Sequence, residues 1–289
     1  MLLLILSILS SATIFVIFKF IDKYKLPLIN VIIINYIIAA SLGFIINGNF
    51  SVNKIIHSNW ILPAIIIGII FIVLFFIVGK SSQKAGISIT TVASKMSVVI
   101  PMMFAIIAYN ESAGLLKISA IIMAVVAVAF SVYVKPIKSK KTSSLAVILP
   151  IILFIGMGIN NSLLIYSKEN YVNAEMSSIF TSTTFAIALL AGLLIILVRP
   201  STIKGFGKLK TWILGLLLGT ANFGSVYFIF LALNLGLFPN SITYGIVDVG
   251  IVILTVLIGT LFFKENLSKL NIFIIASFIS SIVIFSNER

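Results

Sequence analysis

Charged side chains are the most obvious shortage in this sequence. Asp, Glu, Lys and Arg together occupy 9% of its 289 positions, whereas a soluble domain carries about 25%. A chain with so few charges could not cover its own surface against water, so lipid must be the solvent for most of that surface. The composition therefore excludes an ordinary soluble protein.

Metal-binding and nucleophilic side chains are also scarce. There is no cysteine, which excludes disulfides and thiolate metal sites, and the single histidine, His57, cannot build a histidine-rich metal site. The G-x-S-x-G, H-E-x-x-H and Walker A patterns are missing as well. We therefore predict that the protein is not an enzyme, that it uses no cofactor or metal, and that it is not an ATP-driven pump.

Long apolar runs take up most of the chain instead. Hydrophobic residues make up 61% of the sequence, and a membrane-spanning helix needs about 20 predominantly apolar residues. Continuous runs indicate helices, because the strands of a transmembrane barrel alternate apolar and polar residues. The sequence predicts an all-α integral membrane protein with ten transmembrane helices. The predicted spans are Leu2–Ile21, Leu26–Ile46, Trp60–Gly79, Ile87–Tyr109, Leu115–Val134, Leu145–Tyr166, Met176–Val198, Trp212–Leu235, Ser241–Phe263 and Leu270–Ser286.

The chain repeats itself in two halves. Residues 60–134 and 212–286 each begin with a tryptophan, and each has a glutamate at the end of its second helix, Glu111 or Glu265. This similarity predicts a first five-helix repeat over residues 1–134, a basic linker over 135–144 and a second repeat over 145–289. Because five is an odd number, the two repeats are inverted relative to each other, a construction typical of secondary transporters that also occurs in channels.

Short motifs mark the fourth and ninth predicted spans. Pro101 lies inside the fourth span, which ends in Tyr-Asn-Glu-Ser at 109–112. The ninth span ends in the matching Phe-Lys-Glu-Asn at 263–266, but Thr255 stands where the proline would be. Together with the two five-helix halves, which cover nearly the whole chain, these motifs resemble the drug/metabolite transporter superfamily, in particular its ten-helix EamA-type branch. The resemblance implies a solute carrier whose central cavity is lined by the first, third and fourth helices of each half.

Two charges lie deep inside predicted spans, Lys95 in the fourth and Asp248 in the ninth. A cation near the middle of the bilayer costs about 2.5–3.5 kcal/mol, so it normally faces a cavity or a partner. At 1.5 Å per residue the two positions are about 9 Å apart along the membrane normal. A direct pair, or a pair bridged by a solute, is therefore feasible, and a purely structural ion pair is the alternative.

Other polar residues in the spans are candidates for the same site. Amide and hydroxyl groups in apolar helices need partners, which are either neighbouring helices or a solute. The predicted substrate-binding set is Lys95, Asp248, Asn160, Asn161, Asn222, Tyr227, Tyr244 and Thr91.

A buried lysine favours a solute that carries an anionic group. The predicted function is therefore secondary transport, by alternating access through a central cavity, of a small metabolite that is amino-acid-like or otherwise bears a carboxylate. Expected partners are this solute and membrane lipid, with a proton as a candidate coupling ion. Two alternatives stay open: an exporter of drugs or toxic compounds, and a membrane subunit that transports nothing.

The net charge of +13 comes from short connections, where basic residues set membrane orientation rather than bind nucleic acid. The predicted location is the bacterial inner (plasma) membrane, with several passes. The termini and even-numbered connections carry only Lys54, Lys117, Lys168 and Arg289, while the remaining basic residues outside the spans lie in the odd-numbered connections. Basic loops stay in the cytoplasm, so this distribution predicts that both termini face outward. The family resemblance instead implies that both termini face inward.

Overall fold

The structure is a computed structural model, and it describes residues 1–48, 50–109, 144–173, 175–198 and 200–264 together with Gly114, Ile118 and Ile122. Within these residues the regular secondary structure is helical and no strand occurs, which confirms the predicted all-α class. In chain order the helices are α1 (Leu2–Lys23), α2 (Leu28–Asn47), α3 (Val52–Ile56), α4 (Ile61–Lys84), α5 (Ile87–Met96), α6 (Val99–Tyr109), α7 (Ser144–Asn170), α8 (Ser177–Val198), α9 (Leu209–Asn234) and α10 (Asn240–Leu261), with a 3₁₀ helix at Pro200–Gly207.

Among the described residues, eight helical segments are long and apolar enough to cross a membrane, with α5 and α6 together forming one of them. They correspond to eight of the ten predicted spans. Apart from Ile118 and Ile122, the fifth span lies outside the described residues, as do the tenth span and residues 135–143 of the predicted linker.

The exposed helix faces are apolar. On α4 the residues left uncovered recur every three or four positions, which places them on a single face of the helix. They include Leu62, Ile66, Ile69, Val73 and Phe76, each between 40% and 64% exposed. A continuous apolar face of this kind is stable against lipid and not against water. The chain is therefore an integral membrane protein that crosses the bilayer several times.

The described residues form two compact units. The first combines Met1–Gly79 with Tyr166–Leu235, and in it α2 packs against α8 and α9 while α1 packs against α9. Gly43 allows the close approach of α2, since a Cβ there would lie 2.7 Å from the Phe223 ring and 2.9 Å from the Ser178 carbonyl oxygen. Small residues at helix contacts are the usual means of close packing in membranes.

The second unit is drawn from the described residues of Lys80–Ile165 and from those that follow Gly236. In this unit α10 packs along α5 and reaches α6. The connection from α4 to α5 passes through Gly86, whose φ of 94° is in the region that favours glycine. A buried hydrogen bond of 2.8 Å between the Ser81 and Thr90 hydroxyls holds the end of α4 to α5.

The sequence predicts one continuous helix for the fourth span. The structure instead has two helices there, α5 and α6. Pro101 explains the break at Ser97 and Val98. Its nitrogen has no hydrogen to donate, and its ring collides with the carbonyl group four residues earlier, which belongs to Ser97. In α10, where Thr255 occupies the matching position, the helix is unbroken and the Thr255 hydroxyl donates to the Ile251 carbonyl oxygen.

Candidate functional site

An ion pair joins α5 and α10 in the second unit. Lys95 Nζ lies 3.0 Å from Asp248 Oδ1. The two side chains differ in accessibility, because 20% of the lysine side chain is exposed but only 2% of the aspartate side chain. The sequence left open whether the two residues contact each other directly or through a solute, and the structure shows direct contact. A molecule that approached this pair would reach the lysine first.

The lysine lies directly beside the helix break. It is the second-to-last residue of α5, and its carbonyl oxygen accepts the backbone N–H of Val98 inside the break. The hydroxyl of Ser97 donates to the carbonyl oxygen of Ser94, which partly replaces the helix hydrogen bonds lost there. The sequence predicts that Lys95 lies deep inside one long helix. In the structure it lies near the end of the shorter helix α5.

Two further predicted residues lie one helical turn before the ion pair. Thr91 precedes Lys95 by four residues in α5, and Tyr244 precedes Asp248 by four residues in α10, so each shares a helix face with its charged neighbour. Thr91, Tyr244, Lys95 and Asp248 are called the α5–α10 cluster below.

The α5–α10 cluster holds polar atoms that are not satisfied. Thr91 Oγ1, Tyr244 Oη and Asp248 Oδ2 are buried, and none has a hydrogen-bond partner within the described part of the chain. A buried polar atom without a partner is unfavourable by about 1–3 kcal/mol. Such atoms in one helix pair indicate a place where a polar ligand can supply the missing partners.

Asn160 and Asn161 lie in α7, which runs through both without interruption. Asn160 is buried and its Oδ1 has no hydrogen-bond partner in the described residues, whereas Asn161 is half-buried. Two residues before Asn160, the backbone of Gly158 contacts Ile100 of α6. Asn160 is therefore a second buried polar group in the second unit, on a helix that touches α6.

Asn222 and Tyr227 lie in α9 and are not part of the α5–α10 pair. Asn222 Nδ2 is 3.1 Å from the side-chain amide of Asn35 in α2, which is the contact expected of amides that hold two helices together. Tyr227 is half-buried and stacks on Phe223 with 5.0 Å between ring centroids. Both residues thus have packing contacts within the first unit.

The described residues contain no group of three or more His, Cys, Asp or Glu side chains that could hold a metal ion. The α5–α10 cluster itself offers one cation, one carboxylate and two hydroxyls.

Sequence reasoning missed the helix break and the two serines at it, Ser94 and Ser97. The signal was present, since Pro101 stands four residues after Ser97 and a proline inside a helix removes the hydrogen bond to that position. The proline was read only as part of a motif.

The comparisons with known proteins inform the fold more than the function. No family model matches the chain. A protein of Haemophilus influenzae, described as uncharacterized, is 25% identical over 279 residues, which cover 93% of this chain and 91% of that protein. A solved structure, described as the crystal structure of a protein, matches with a TM-score of 0.66 and 12% identity over 99% of this chain and 95% of its own. This likeness shows that the fold occurs in another protein.

Proposed function

We propose that this chain is a secondary transporter that moves a small carboxylate-bearing solute across the membrane, and that Lys95 holds the solute's carboxylate. The observation that carries the proposal is the Lys95–Asp248 pair beside a helix break, together with buried polar atoms on the same helix pair that have no partner among the described residues. Solute sites in transporters are typically formed by discontinuous helices, where backbone and side-chain groups are free to bind.

The alternative is an ion pair that only holds α5 to α10. A pair retained for structure is expected to have the remaining lone pairs of its carboxylate satisfied. Asp248 Oδ2 has no partner in the described residues, although it is buried. The lysine is also partly accessible while the aspartate is not. These two features favour a site that exchanges partners over one that is permanently closed.

Partner exchange suggests how a solute would bind. The solute's carboxylate replaces Asp248 on the Lys95 ammonium group, so the lysine keeps a countercharge throughout. Asp248 is then free to accept a hydrogen bond from a donor group on the same solute, such as an ammonium or hydroxyl group. A solute with an anionic end and a donor end therefore fits the cluster best, which is why an amino-acid-like metabolite is the first candidate.

The architecture proposed for this function is the ten-helix EamA-type arrangement of two inverted five-helix repeats, with alternating access through a central cavity. Eight apolar spans of the right length among the described residues support it, as do the similar sequences Tyr-Asn-Glu-Ser at 109–112 and Phe-Lys-Glu-Asn at 263–266 in the two halves. The proposed location is a bacterial inner membrane, which agrees with the bacterial source of the relative that is 25% identical.

The first test is a ligand screen on the purified protein in nanodiscs. Thermal unfolding is followed for the wild-type protein and for Lys95→Met with a panel of amino acids and organic carboxylates, and Lys54→Met serves as a control because Lys54 is exposed outside the spans. The proposal predicts that at least one carboxylate raises Tm of the wild type and of Lys54→Met but not of Lys95→Met. Equal stabilisation of all three proteins would contradict the role of Lys95.

A further inference from the structure

Two basic segments that are far apart in sequence meet at one end of the first unit. The end of α1 and the start of α2 come together with the 3₁₀ helix Pro200–Gly207 and the start of α9. Asn30 Nδ2 donates to the Thr202 carbonyl oxygen at 2.9 Å, and Gly205 packs closely against Asn30 and Pro27. Lys210 Nζ lies 4.3 Å from the centroid of the Tyr24 ring. These contacts fix the two segments side by side.

This end of the first unit carries a concentrated positive charge. Its five exposed lysines are Lys23, Lys25, Lys204, Lys208 and Lys210. The surface formed by these five lysines is called the basic end below. Asp22 is the one acidic residue in the segments 19–30 and 200–212. None of the five lysines forms an ion pair with a carboxylate in the described residues. Five lysines against one carboxylate in these two neighbouring segments attract a polyanionic partner.

Aromatic residues place the basic end at the level of the lipid headgroups. Tyr24 and Trp212 are 41% and 47% exposed, and the Trp212 indole N–H donates to the Phe206 carbonyl oxygen at 2.7 Å. Exposed Tyr and Trp side chains with one polar and one apolar end mark the membrane–water interface. Ile213, one residue further along α9, is 47% exposed and apolar, as expected where the hydrocarbon region begins.

We propose that the basic end is a binding site for the phosphate groups of anionic phospholipids. Clusters of four to eight Lys or Arg residues next to a membrane-spanning helix bind anionic headgroups, and the lysines reach the headgroup level because their aliphatic stems lie along apolar surface. The apolar residues beside the lysines contact the acyl chains of the same lipid, which a free phosphate ion cannot do. A lipid therefore fits this surface better than a soluble anion.

The two tryptophans of the chain allow a direct test. Trp212 lies at the basic end, whereas Trp60 is 6% exposed and contacts Phe180. Full-length Trp60→Phe protein is placed in nanodiscs of phosphatidylcholine and phosphatidylglycerol at fixed composition, with bromine on the acyl chains of one lipid or the other. Bromine quenches tryptophan fluorescence on contact. The quenching ratio then reports how strongly the neighbourhood of Trp212 is enriched in the anionic lipid.

The proposal predicts an enrichment of phosphatidylglycerol at Trp212 of about fivefold, the factor that corresponds to about 1 kcal/mol for one lysine near an anionic surface. It also predicts the loss of this enrichment in the variant Lys23→Gln, Lys25→Gln, Lys204→Gln and Lys208→Gln, in which Lys210 is kept for its contact with Tyr24. Quenching by brominated phosphatidylcholine reports whether the variant is still inserted and folded. Lys54→Gln, at an exposed lysine outside the basic end, is the matched control and should keep the enrichment.

Three results would overturn the proposal. The first is equal quenching by the two brominated lipids in the starting protein. The second is an enrichment of phosphatidylglycerol that persists in the variant with four lysine substitutions. The third is an enrichment abolished by inorganic phosphate but not by sodium chloride at the same ionic strength, which would assign the lysines to a soluble phosphate. The quenching measurement does not depend on transport, so its failure and the failure of the proposed function are distinguishable.

Discussion

A lysine inside a membrane-spanning segment needs a countercharge, because an isolated cation near the middle of the bilayer costs about 2.5–3.5 kcal/mol. Asp248 supplies it at 3.0 Å from the Lys95 ammonium group. Removing one partner of a buried pair leaves the other uncompensated, which is destabilising by about 3–5 kcal/mol. The strength of the coupling between these two residues is therefore measurable.

A double-mutant cycle measures this coupling. Lys95→Met and Asp248→Asn should each lower the free energy of unfolding, and the double variant should be more stable than the sum of the single effects predicts. We expect a coupling energy of about 1–3 kcal/mol, measured by chemical unfolding in detergent. Lys168 and Glu169 provide a matched control at 2.8 Å, because that carboxylate side chain is 31% exposed instead of 2%. Their cycle should give about 0.5 kcal/mol or less. Strict additivity at Lys95 and Asp248 would show that the pair contributes nothing.

At the residue scale, the sequence was most informative where a charge interrupts an apolar run. Lys95 and Asp248 could be predicted as partners because few other residues can neutralise either of them. The roles of the amides could not be predicted in the same way. Asn222 and Asn160 look alike in sequence, yet Asn222 faces Asn35, whereas the side-chain oxygen of Asn160 has no partner in the part of the chain that the structure describes. Helices that are apolar on all sides do not reveal which face is buried.

Secondary structure elements differ between the two matching spans because of one residue. Pro101 divides the fourth span into α5 and α6, while Thr255 leaves α10 intact. The sequence predicted both spans from length and hydropathy, and these properties are insensitive to a break of two residues. The break begins two residues after Lys95, so it lies beside the ion pair with Asp248.

Pro101→Ala should join α5 and α6 into one helix, because alanine restores the N–H donor and removes the collision with the Ser97 carbonyl group. We expect the distance between nitroxide labels at Ile89→Cys and Ile107→Cys to change by several ångström in this variant, measured by pulsed electron paramagnetic resonance. The chain has no cysteine of its own, so these labels are unique. Transport should fall about tenfold or more, since displacing a binding group by about 1 Å has effects of this size.

Pro150→Ala is the matched control for this experiment. Pro150 lies within α7, which is continuous despite it. Its replacement should leave the distance between the two labels unchanged. If Pro101→Ala also leaves that distance unchanged, then the proline is not the cause of the break.

The whole molecule has one feature that the sequence predicts in two conflicting ways, its orientation in the membrane. The first and seventh connections lie at the same end of the first unit, where Lys210 contacts Tyr24, and both connections are rich in lysine. Asn47 and Ser178, which form a hydrogen bond of 3.3 Å, lie beside the second and sixth connections. The distribution of charge along the chain thus corresponds to two distinct ends in the first unit.

We predict that the basic end faces the cytoplasm and that both termini face outward, because basic connections resist translocation. A reporter that is active only outside the cytoplasm, fused after Arg289, should be active. The same reporter inserted after Lys208 should be silent, while a cytoplasmic reporter at that site should be active, which shows that the fusion is expressed. Activity of a cytoplasmic reporter at Arg289, with silence of the external one, would support the orientation implied by the family resemblance instead.

That the whole molecule is an integral membrane protein could be predicted from composition, since lipid is the solvent that suits so apolar a surface. The two units could not be predicted in the same way. Each contains helices from both predicted repeats, and the choice of neighbours depends on close contacts such as Gly43 against α8 and α9. A run of isoleucine and leucine does not specify which neighbouring helix it packs against.

Transport itself, and the part that Lys95 plays in it, can be measured as uptake into proteoliposomes. Purified wild-type protein and Lys95→Met are reconstituted in parallel, with Lys54→Met as the control, and the influx of a radiolabelled mixture of amino acids and organic carboxylates is followed down an imposed gradient. If the chain is a transporter that binds its solute through Lys95, influx should be saturable with the wild type and with Lys54→Met. It should be lost with a folded Lys95→Met protein. Equal influx with Lys95→Met, or no influx with any of the three, would contradict this proposal.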